Sequence, residues 1–367
     1  MVGVFCRVDL DIRGVLTWLF LKFAFDKYLK YSVMNNLLVV MLLFLTGLVS
    51  EPLQAELRST TFVVAADGNG DFKSIQAAID ATKAFPDAPI HIFIKNGIYA
   101  EKVRVYSWNT DLSLIGENKD SVIITYSDYF DKIALGRNST FHTYTLKVEA
   151  NDFHMENITV ENAAGPVGQA VALHVEGDRC SFVNCRFLGH QDTVYAAGEG
   201  ARQYFKHCFI GGTTDFIFGA STALFDACEI HSLSNSYITA ASTPEKEAYG
   251  YWFRACRFTA AEGVSEVYLG RPWRDHAWVL VSSSTLGTHI AAEGWSNWSG
   301  TQRDKSARYF EYNNTGAGAA TCERVPWLEQ LSTKAAAELS TEVFFSRGTS
   351  TWLPTALEDQ QSSNKLK

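Results

Sequence analysis

Four segments of this chain share a short pattern in which a phenylalanine stands three residues before a cysteine. They lie at 182–187, 205–210, 225–230 and 253–258, and 153–160 is similar, with Asn157 as its anchor instead of a thiol. Successive anchors are 28, 23, 20 and 28 residues apart. Each segment alternates apolar and polar residues, as a strand does. Irregular repeats of this length, without helical patterning between them, predict the coils of a parallel β-helix, a single-stranded solenoid of the all-β class.

The remaining chain adds little regular structure to this solenoid. One clear helix is predicted at 74–83, with Asp71 as its cap, and it would cover the open N-terminal end. After about Cys322 the pattern becomes helical and polar. We therefore expect a β-helix domain at 56–348 with a short N-terminal capping helix. A polar, loosely held tail is expected at 349–367.

The first 55 residues differ from everything that follows them. An apolar run of about a dozen residues begins at Leu37 and is too short for a comfortable membrane span. A polar stretch follows, in which Ser50 or Ala55 offers a small residue for cleavage. The pattern at 34–55 resembles a secretory signal peptide. We therefore expect a secreted protein that is extracellular, in a cell wall, or in a periplasm. No stable membrane association is expected once the leader is removed.

The leader has a second interpretation. Met34 fits as the true start, with 1–33 as a translated upstream segment, although that start leaves the signal without a lysine before its apolar run. The alternative is a membrane anchor built from 15–25 and 37–49. Four charged residues interrupt that stretch and favour export: Lys22, Asp26, Lys27 and Lys30.

Composition and charge exclude several classes of protein and partner. A chain with 47% hydrophobic and 20% charged residues is neither disordered, collagen-like nor a coiled coil. The formal net charge is −8 and no block of lysine and arginine occurs, so no nucleic-acid partner is expected. We expect a monomer.

The cysteines of the repeats leave two interpretations open. They fit small buried hydrophobic residues that line the interior of the solenoid. Export would also permit disulfides, either between Cys180 and Cys185 or between neighbouring coils. No partnered CxxC pairs occur, so no metal site is predicted.

Two aspartates occupy the same position in neighbouring repeats. Asp192 lies seven residues after Cys185, and Asp215 lies seven residues after Cys208. If the coils are in register, their carboxylates face the same way within about 5–6 Å. Like charges at that separation raise the pKa of one of them, which provides an acid beside a nucleophile or base. Two solvated turn residues are the alternative, and the phenylalanines on both sides of Ile217 argue against it.

Five further segments occur in a characteristic order. They are Gly-Ile-Tyr-Ala-Glu at 97–101, the Gln169 segment at 168–173, Gln-Asp-Thr at 191–193, Asp-Phe-Ile-Phe-Gly at 215–219 and Leu-Gly-Arg-Pro-Trp at 269–273. Over roughly 60–310 the chain therefore resembles the pectin methylesterases (pectinesterases), carbohydrate esterases built on a right-handed parallel β-helix. The resemblance implies hydrolysis of the methyl esters of galacturonic acid units in pectin, a methyl-esterified homogalacturonan. The products are methanol and polygalacturonate, and no cofactor is implied.

The resemblance also implies roles for individual residues. Asp215 is similar to the family's nucleophile, and Asp192 to the acid that protonates the departing methanol and then activates water. Gln169 and Gln191 are similar to the amides that stabilise the oxyanion, and Arg271 to the guanidinium that orients Asp215. Trp273 is similar to a platform for a sugar ring and Thr140 to a substrate contact of the family. Tyr195 and Phe218 are further candidates for substrate binding in the same groove.

Three other functions could use such a solenoid. A glycoside hydrolase of the polygalacturonase type uses clustered aspartates, and 109–111 imitates one of its motifs, but its remaining motifs do not follow. A pectate lyase needs several acidic residues gathered for calcium, which the sequence does not provide. A carbohydrate-binding or adhesion protein needs no acid–nucleophile pair at all.

Overall fold

The computed structural model describes residues 59–354 together with Lys22 and Lys27. The chain divides into two compact units, 1–57 and 58–367, and those two lysines are the described part of the first unit. The predicted leader and its membrane-anchor alternative therefore lie outside the described residues, as does 355–367 of the predicted tail. Among the described residues, no helix has the length and hydropathy needed to span a bilayer.

Short strands dominate the described chain. In chain order they are β1 (Thr60–Val64), β2 (Ile90–Ile94), β3 (Gly97–Tyr99), β4 (Val103–Val105), β5 (Leu112–Gly116), β6 (Val122–Tyr126), β7 (Leu146–Val148), β8 (His154–Glu156), β9 (Thr159–Asn162), β10 (Leu173–Val175), β11 (Cys180–Val183), β12 (Arg186–Leu188), β13 (Val194–Ala196), β14 (Arg202–Lys206), β15 (Phe209–Gly212), β16 (Ile217–Gly219), β17 (Thr222–Asp226), β18 (Glu229–Ser232), β19 (Tyr237–Ala241), β20 (Tyr251–Arg254), β21 (Arg257–Ala260), β22 (Tyr268–Pro272), β23 (Trp278–Ser282), β24 (Thr285–Leu286), β25 (Arg308–Tyr312), β26 (Glu329–Gln330), β27 (Ser346–Arg347) and β28 (Ser350–Thr351). The helices are α1 (Ile75–Asp80), α2 (Phe130–Ile133), α3 (Thr333–Glu338) and α4 (Thr341–Phe344), with 3₁₀ turns at Gly136–His142, Arg303–Lys305 and Ala317–Ala319.

Three long parallel sheets run along the solenoid. Sheet 1 contains β1, β2, β5, β8, β11, β14, β17, β20, β23, β25 and β26 in that order, and each neighbouring pair is parallel. Sheet 2 runs from β3 through β6, β9, β12, β15, β18 and β21 to β24, and sheet 3 from β4 through β7, β10, β13, β16 and β19 to β22. From β3 to β24, successive coils add a strand to each sheet in turn. The predicted all-β class and parallel β-helix are confirmed.

The repeated cysteine segments form a turn between sheets 1 and 2. Each predicted strand is in fact two strands, because the residue before the cysteine has a left-handed backbone and bends the chain, as at Asn184 (φ 50°) and His207 (φ 54°). Inside the coil, the four repeat phenylalanines stack with ring centroids 4.6–4.7 Å apart: Phe182, Phe205, Phe225 and Phe253. This stack is the centre of the core, since all four side chains are buried.

The structure decides between free and disulfide-bonded cysteines, and it shifts the alignment of one repeat segment. Every cysteine in the described residues is free, so the disulfides do not form, and the five from Cys180 to Cys256 are buried. Asn157 was expected to match Cys185. However, Phe182 pairs with Met155, so Asn157 instead matches Asn184, whose amide donates to its Oδ1 over 2.6 Å.

The capping helix is shorter than predicted and has a different cap. Helix α1 begins at Ile75, and the Ser74 side chain accepts the cap hydrogen bond, whereas Asp71 accepts from the backbone of Val63. The carboxylate of Glu101 accepts the backbone N–H groups of Ile75 and Gln76 over 2.8 and 3.0 Å. Glu101, the last residue of the 97–101 motif, therefore anchors the helix that closes the solenoid.

The C-terminal segment packs on the outer face of sheet 1. Phe344 and Phe345, at the end of α4, are buried in a cluster with outward-facing aromatic residues of that sheet, including Trp252. The tail expected to be loosely held from 349 onward is fixed at its start. There, β27 and β28 pair antiparallel, and Trp352 packs on Phe345 with ring centroids 4.9 Å apart.

Candidate active site

The two aspartates of the repeat lie on neighbouring coils, each two residues before a strand of sheet 3. Strands β13 and β16 pair with Val194 opposite Ile217, and the same register places Asp192 opposite Asp215. Neighbouring strands are about 4.8 Å apart, and both aspartates line one groove, in which the charge of Asp215 acts on Asp192. Both residues have a left-handed backbone, with φ of 67° and 48°, a conformation that aspartate tolerates better than most residues. Both side chains are buried, contrary to the alternative of solvated turn residues.

Arg271 holds one of the two carboxylates from a strand two positions further along sheet 3. It lies on β22, and its Nε and Nη2 donate to Oδ1 and Oδ2 of Asp215 over 3.0 and 2.7 Å. Two-point pairing of this kind fixes the orientation of a carboxylate as well as its charge. No hydrogen bond of this kind joins Arg271 to Asp192, so the environments of the two acids differ.

The surroundings of the two aspartates shift their pKa values unequally. Burial raises the pKa of Asp192 well above its usual range, and the adjacent Asp215 raises it further, against a weaker opposing effect of Arg271. Burial also raises the pKa of Asp215, but the hydrogen bonds and charge of Arg271 oppose that rise. The pair therefore favours a proton on Asp192 and the negative charge on Asp215.

Both predicted glutamines lie at the same end of sheet 3. Gln169 and Gln191 pair as a parallel bridge, and Gln191 immediately precedes Asp192 in the chain. Both glutamines line the groove that contains the aspartate pair. The groove has a volume of about 340 Å³. Its lining residues are Phe130, Arg137, Thr140, Phe141, Gln169, Gln191, Asp192, Asp215, Phe218, Ala240, Arg271, Trp273 and Trp298.

The substrate-binding candidates divide into lining and supporting residues. Thr140, Phe218 and Trp273 line the groove, whereas Tyr195 does not. Tyr195 stacks on Phe218 with ring centroids 4.5 Å apart, and burial raises its pKa to about 12. Tyr195 therefore supports the wall that Phe218 presents to the groove.

Sequence reasoning missed several groove residues. Phe130, Arg137 and Phe141 come from the long connection between β6 and β7, and Trp298 follows β24. These connections lie outside the repeat, so strand periodicity carries no signal for them. The residues 109–111 that imitate a polygalacturonase motif lie in the connection between β4 and β5 and do not line this groove.

Known proteins resemble both the sequence and the fold. The pectinesterase family model matches residues 61–348. Pectinesterase 31 of Arabidopsis thaliana is 39% identical over 276 residues, covering 73% of this chain and 86% of that protein. Pectinesterase/pectinesterase inhibitor 3 of the same plant is 37% identical over 277 residues. That match covers 72% of this chain, which spans only 46% of that longer protein.

Solved structures give the same result. Pectin methylesterase from carrot has a TM-score of 0.70 and 34% identity, covering 75% of this chain and 89% of that one. A pectin methylesterase D178A mutant in complex with hexasaccharide IV has a TM-score of 0.69 and 28% identity, covering 80% of this chain and 98% of that one.

Proposed function

We propose, on the premise that this chain belongs to the pectinesterase family, that Asp215 and Asp192 carry out its reaction. The family reaction is the hydrolysis of pectin methyl esters, and this chain is a carboxylic ester hydrolase of that kind. The observation that carries the assignment is the asymmetry of the buried pair, in which Arg271 binds only Asp215. The asymmetry supplies an ionised nucleophile next to a protonated acid.

In the first half of the reaction, the carboxylate of Asp215 attacks the carbonyl carbon of the methyl ester. The amide groups of Gln169 and Gln191 donate hydrogen bonds to the oxygen that becomes negative. Asp192 transfers its proton to the methoxy oxygen as the carbon–oxygen bond breaks. Methanol leaves, and the galacturonyl group remains on Asp215 as an acyl anhydride.

In the second half, Asp192 is ionised and acts as a base. It takes a proton from a water molecule whose oxygen attacks the galacturonyl carbonyl carbon. The bond to Asp215 breaks, which restores its carboxylate beside Arg271 and leaves a carboxylic acid on the sugar. The remaining water proton then passes from this acid to solvent, which gives the new carboxylate. Asp192 again carries a proton, so the pair is ready for another ester.

The groove offers a suitable surface for a polymer of galacturonic acid units. Trp273, Phe218 and Trp298 provide aromatic faces near the pair, on which the apolar side of a sugar ring can stack. Thr140 lines the same groove and provides a polar contact. The solved complex of a pectin methylesterase mutant with a hexasaccharide supports an oligosaccharide as the ligand of this groove. We infer that methyl-esterified homogalacturonan binds here, and that the protein acts as a secreted monomer without stable membrane association.

The assignment is tested by product analysis on methylated pectin with matched variants. The wild-type protein should release methanol and create carboxylates. A glycoside hydrolase would instead create reducing ends, a lyase would create unsaturated ends, and a binding protein would create none of these products. Asp215→Asn and Asp192→Asn should each lose at least about 100-fold in methanol release, the lower range for an acid–base group. Asp111→Asn is the control, because Asp111 also has a left-handed backbone but lies outside the groove. Retained activity in either groove variant, with circular dichroism showing a folded protein, would refute the assignment.

A further inference from the structure

The guanidinium of Arg271 lies over two aromatic rings. Its Cζ atom is 3.9 Å from the ring centroid of Tyr237 and 4.2 Å from that of Trp298. Cations at this distance from an aromatic ring are attracted by its electron-rich face. Two rings therefore contact the planar group, while one edge donates two hydrogen bonds to Asp215.

The two rings have different access to the groove. Trp298 lines it and is available to the substrate, whereas Tyr237 is not among its lining residues. The other neighbour of Tyr237 is Tyr268, whose ring lies 5.5 Å away at 26° and is paired with it in the strand register of β19 and β22. Its contact with the reacting groups is therefore made through Arg271 and through its backbone.

Tyr237 contacts both members of the ion pair. Its ring supports the guanidinium, and its backbone carbonyl accepts the N–H of Asp215 over 2.7 Å. A substitution of the side chain leaves the carbonyl in place, so it tests the ring alone. The phenol makes no hydrogen bond to other described residues, so Tyr237→Phe preserves every contact noted here.

We propose that Tyr237 is a positioning residue for the esterase reaction, whose ring holds the Arg271 guanidinium in the plane that binds both oxygens of Asp215. This inference rests on the proposed function of Asp215. Without the ring, the guanidinium gains freedom to rotate and to be solvated where the ring had packed. Its hydrogen bonds to the carboxylate then weaken, and a smaller fraction of Asp215 is ionised at a given pH.

The charged surroundings of Asp215 define what a pH profile would report. Arg271 and Asp192 are charged or titrating groups that face Asp215. The buried hydroxyl of Tyr309 also interacts electrostatically with Asp215 from the interior. Tyr309 titrates far above neutrality because burial raises its pKa, so it does not contribute to the acidic limb. A weaker contact with Arg271 raises the pKa of Asp215, which moves the acidic limb of kcat to higher pH.

The test compares Tyr237→Leu with Tyr237→Phe and with Tyr268→Leu as a matched loss of the neighbouring ring. Tyr237→Leu should lower kcat on methylated pectin about tenfold at mildly acidic pH, the effect of one desolvated cation–ring contact. Its acidic limb should move to higher pH while KM changes little, since Tyr237 does not line the groove. Tyr237→Phe and Tyr268→Leu should keep the wild-type profile.

Two results would overturn the proposal. One is a wild-type kcat and acidic limb in Tyr237→Leu, and the other is an equal loss in all three variants, which would indicate general packing. If Tyr237→Leu does not fold, Tyr237→Met fills a similar volume without a ring and should show the same displaced limb. Asp215→Asn, measured in parallel, separates failure of the proposed function from failure of the role of Tyr237. An active Asp215→Asn refutes the proposed function itself. An inactive one with an unaltered Tyr237→Leu refutes only the role of Tyr237.

Discussion

Replacing Arg271 by methionine removes the counter-ion of the proposed nucleophile without removing the nucleophile. The two side chains are 19% and 8% exposed, so water replaces little of the lost interaction. Breaking a buried ion pair by deleting one partner costs about 3–5 kcal/mol. At about 1.36 kcal/mol per pKa unit, that cost corresponds to a rise of roughly 2–3.5 units in the pKa of Asp215, which accepts a proton instead of remaining charged.

The consequence is a displaced pH profile rather than a uniform loss of activity. Methanol release by Arg271→Met should be lowest under acidic conditions and recover as pH rises, with the acidic limb about 2 units or more above that of the wild type. Arg271→Lys, which keeps the charge but not the two-point contact, should lie between the two. The assay is kcat against pH on highly methylated pectin, with Arg257→Met as a control on sheet 2, outside the groove. An unchanged acidic limb in Arg271→Met would refute the claim that this arginine keeps Asp215 ionised.

Three other variants test separate parts of the account. Gln191→Ala removes one proposed oxyanion donor and should lower kcat about 100- to 1,000-fold with little change in KM, measured by methanol release; a fall confined to KM would contradict that role. Asp192→Asn should raise the melting temperature at alkaline pH. Because the pKa of Asp192 is raised in the folded state, that state binds more protons than the unfolded state. The contribution of Asp192 to stability therefore falls as pH rises above its pKa in the unfolded chain. That gain should shrink toward acidic pH, where both states are protonated, and calorimetry showing a gain that does not depend on pH would count against the buried acid. Phe205→Ala deletes a ring from the middle of the core stack and should cost about 3–5 kcal/mol in urea unfolding; a loss below about 1 kcal/mol would mean that the stack closes around the gap.

The repeat predicted the fold because a solenoid places equivalent residues of successive coils in one row. Cys185 and Cys208 lie at equivalent turns, and Asp192 and Asp215 follow each of them by the same number of residues. One repeated anchor therefore predicts the register of the acid pair. The same anchor failed by one residue at Asn157, because an asparagine also suits the left-handed turn that precedes the cysteine position.

The residues that the sequence did not reveal are held by contacts between distant segments. Trp298 reaches Arg271 from a connection outside the strands, and Tyr237 reaches it from the preceding coil. Trp298 stands in no repeated pattern, so its position depends on how its loop packs on sheet 3. Tyr237 begins strand β19, and only the pairing of β19 with β22 brings its ring to Arg271. The capping helix illustrates the same limit, since Ser74 and Glu101 end up satisfying its first N–H groups, and only the fold brings Glu101 there.

In the proposed mechanism, the two buried aspartates share one proton, which Asp192 carries while Asp215 carries the charge. Infrared spectroscopy tests it directly through the carbonyl band of a protonated carboxylic acid at about pH 6, where ordinary aspartates are ionised. The account predicts such a band in the wild-type protein and its loss in Asp192→Asn. A wild-type protein without the band, or a band that persists in Asp192→Asn, would contradict it.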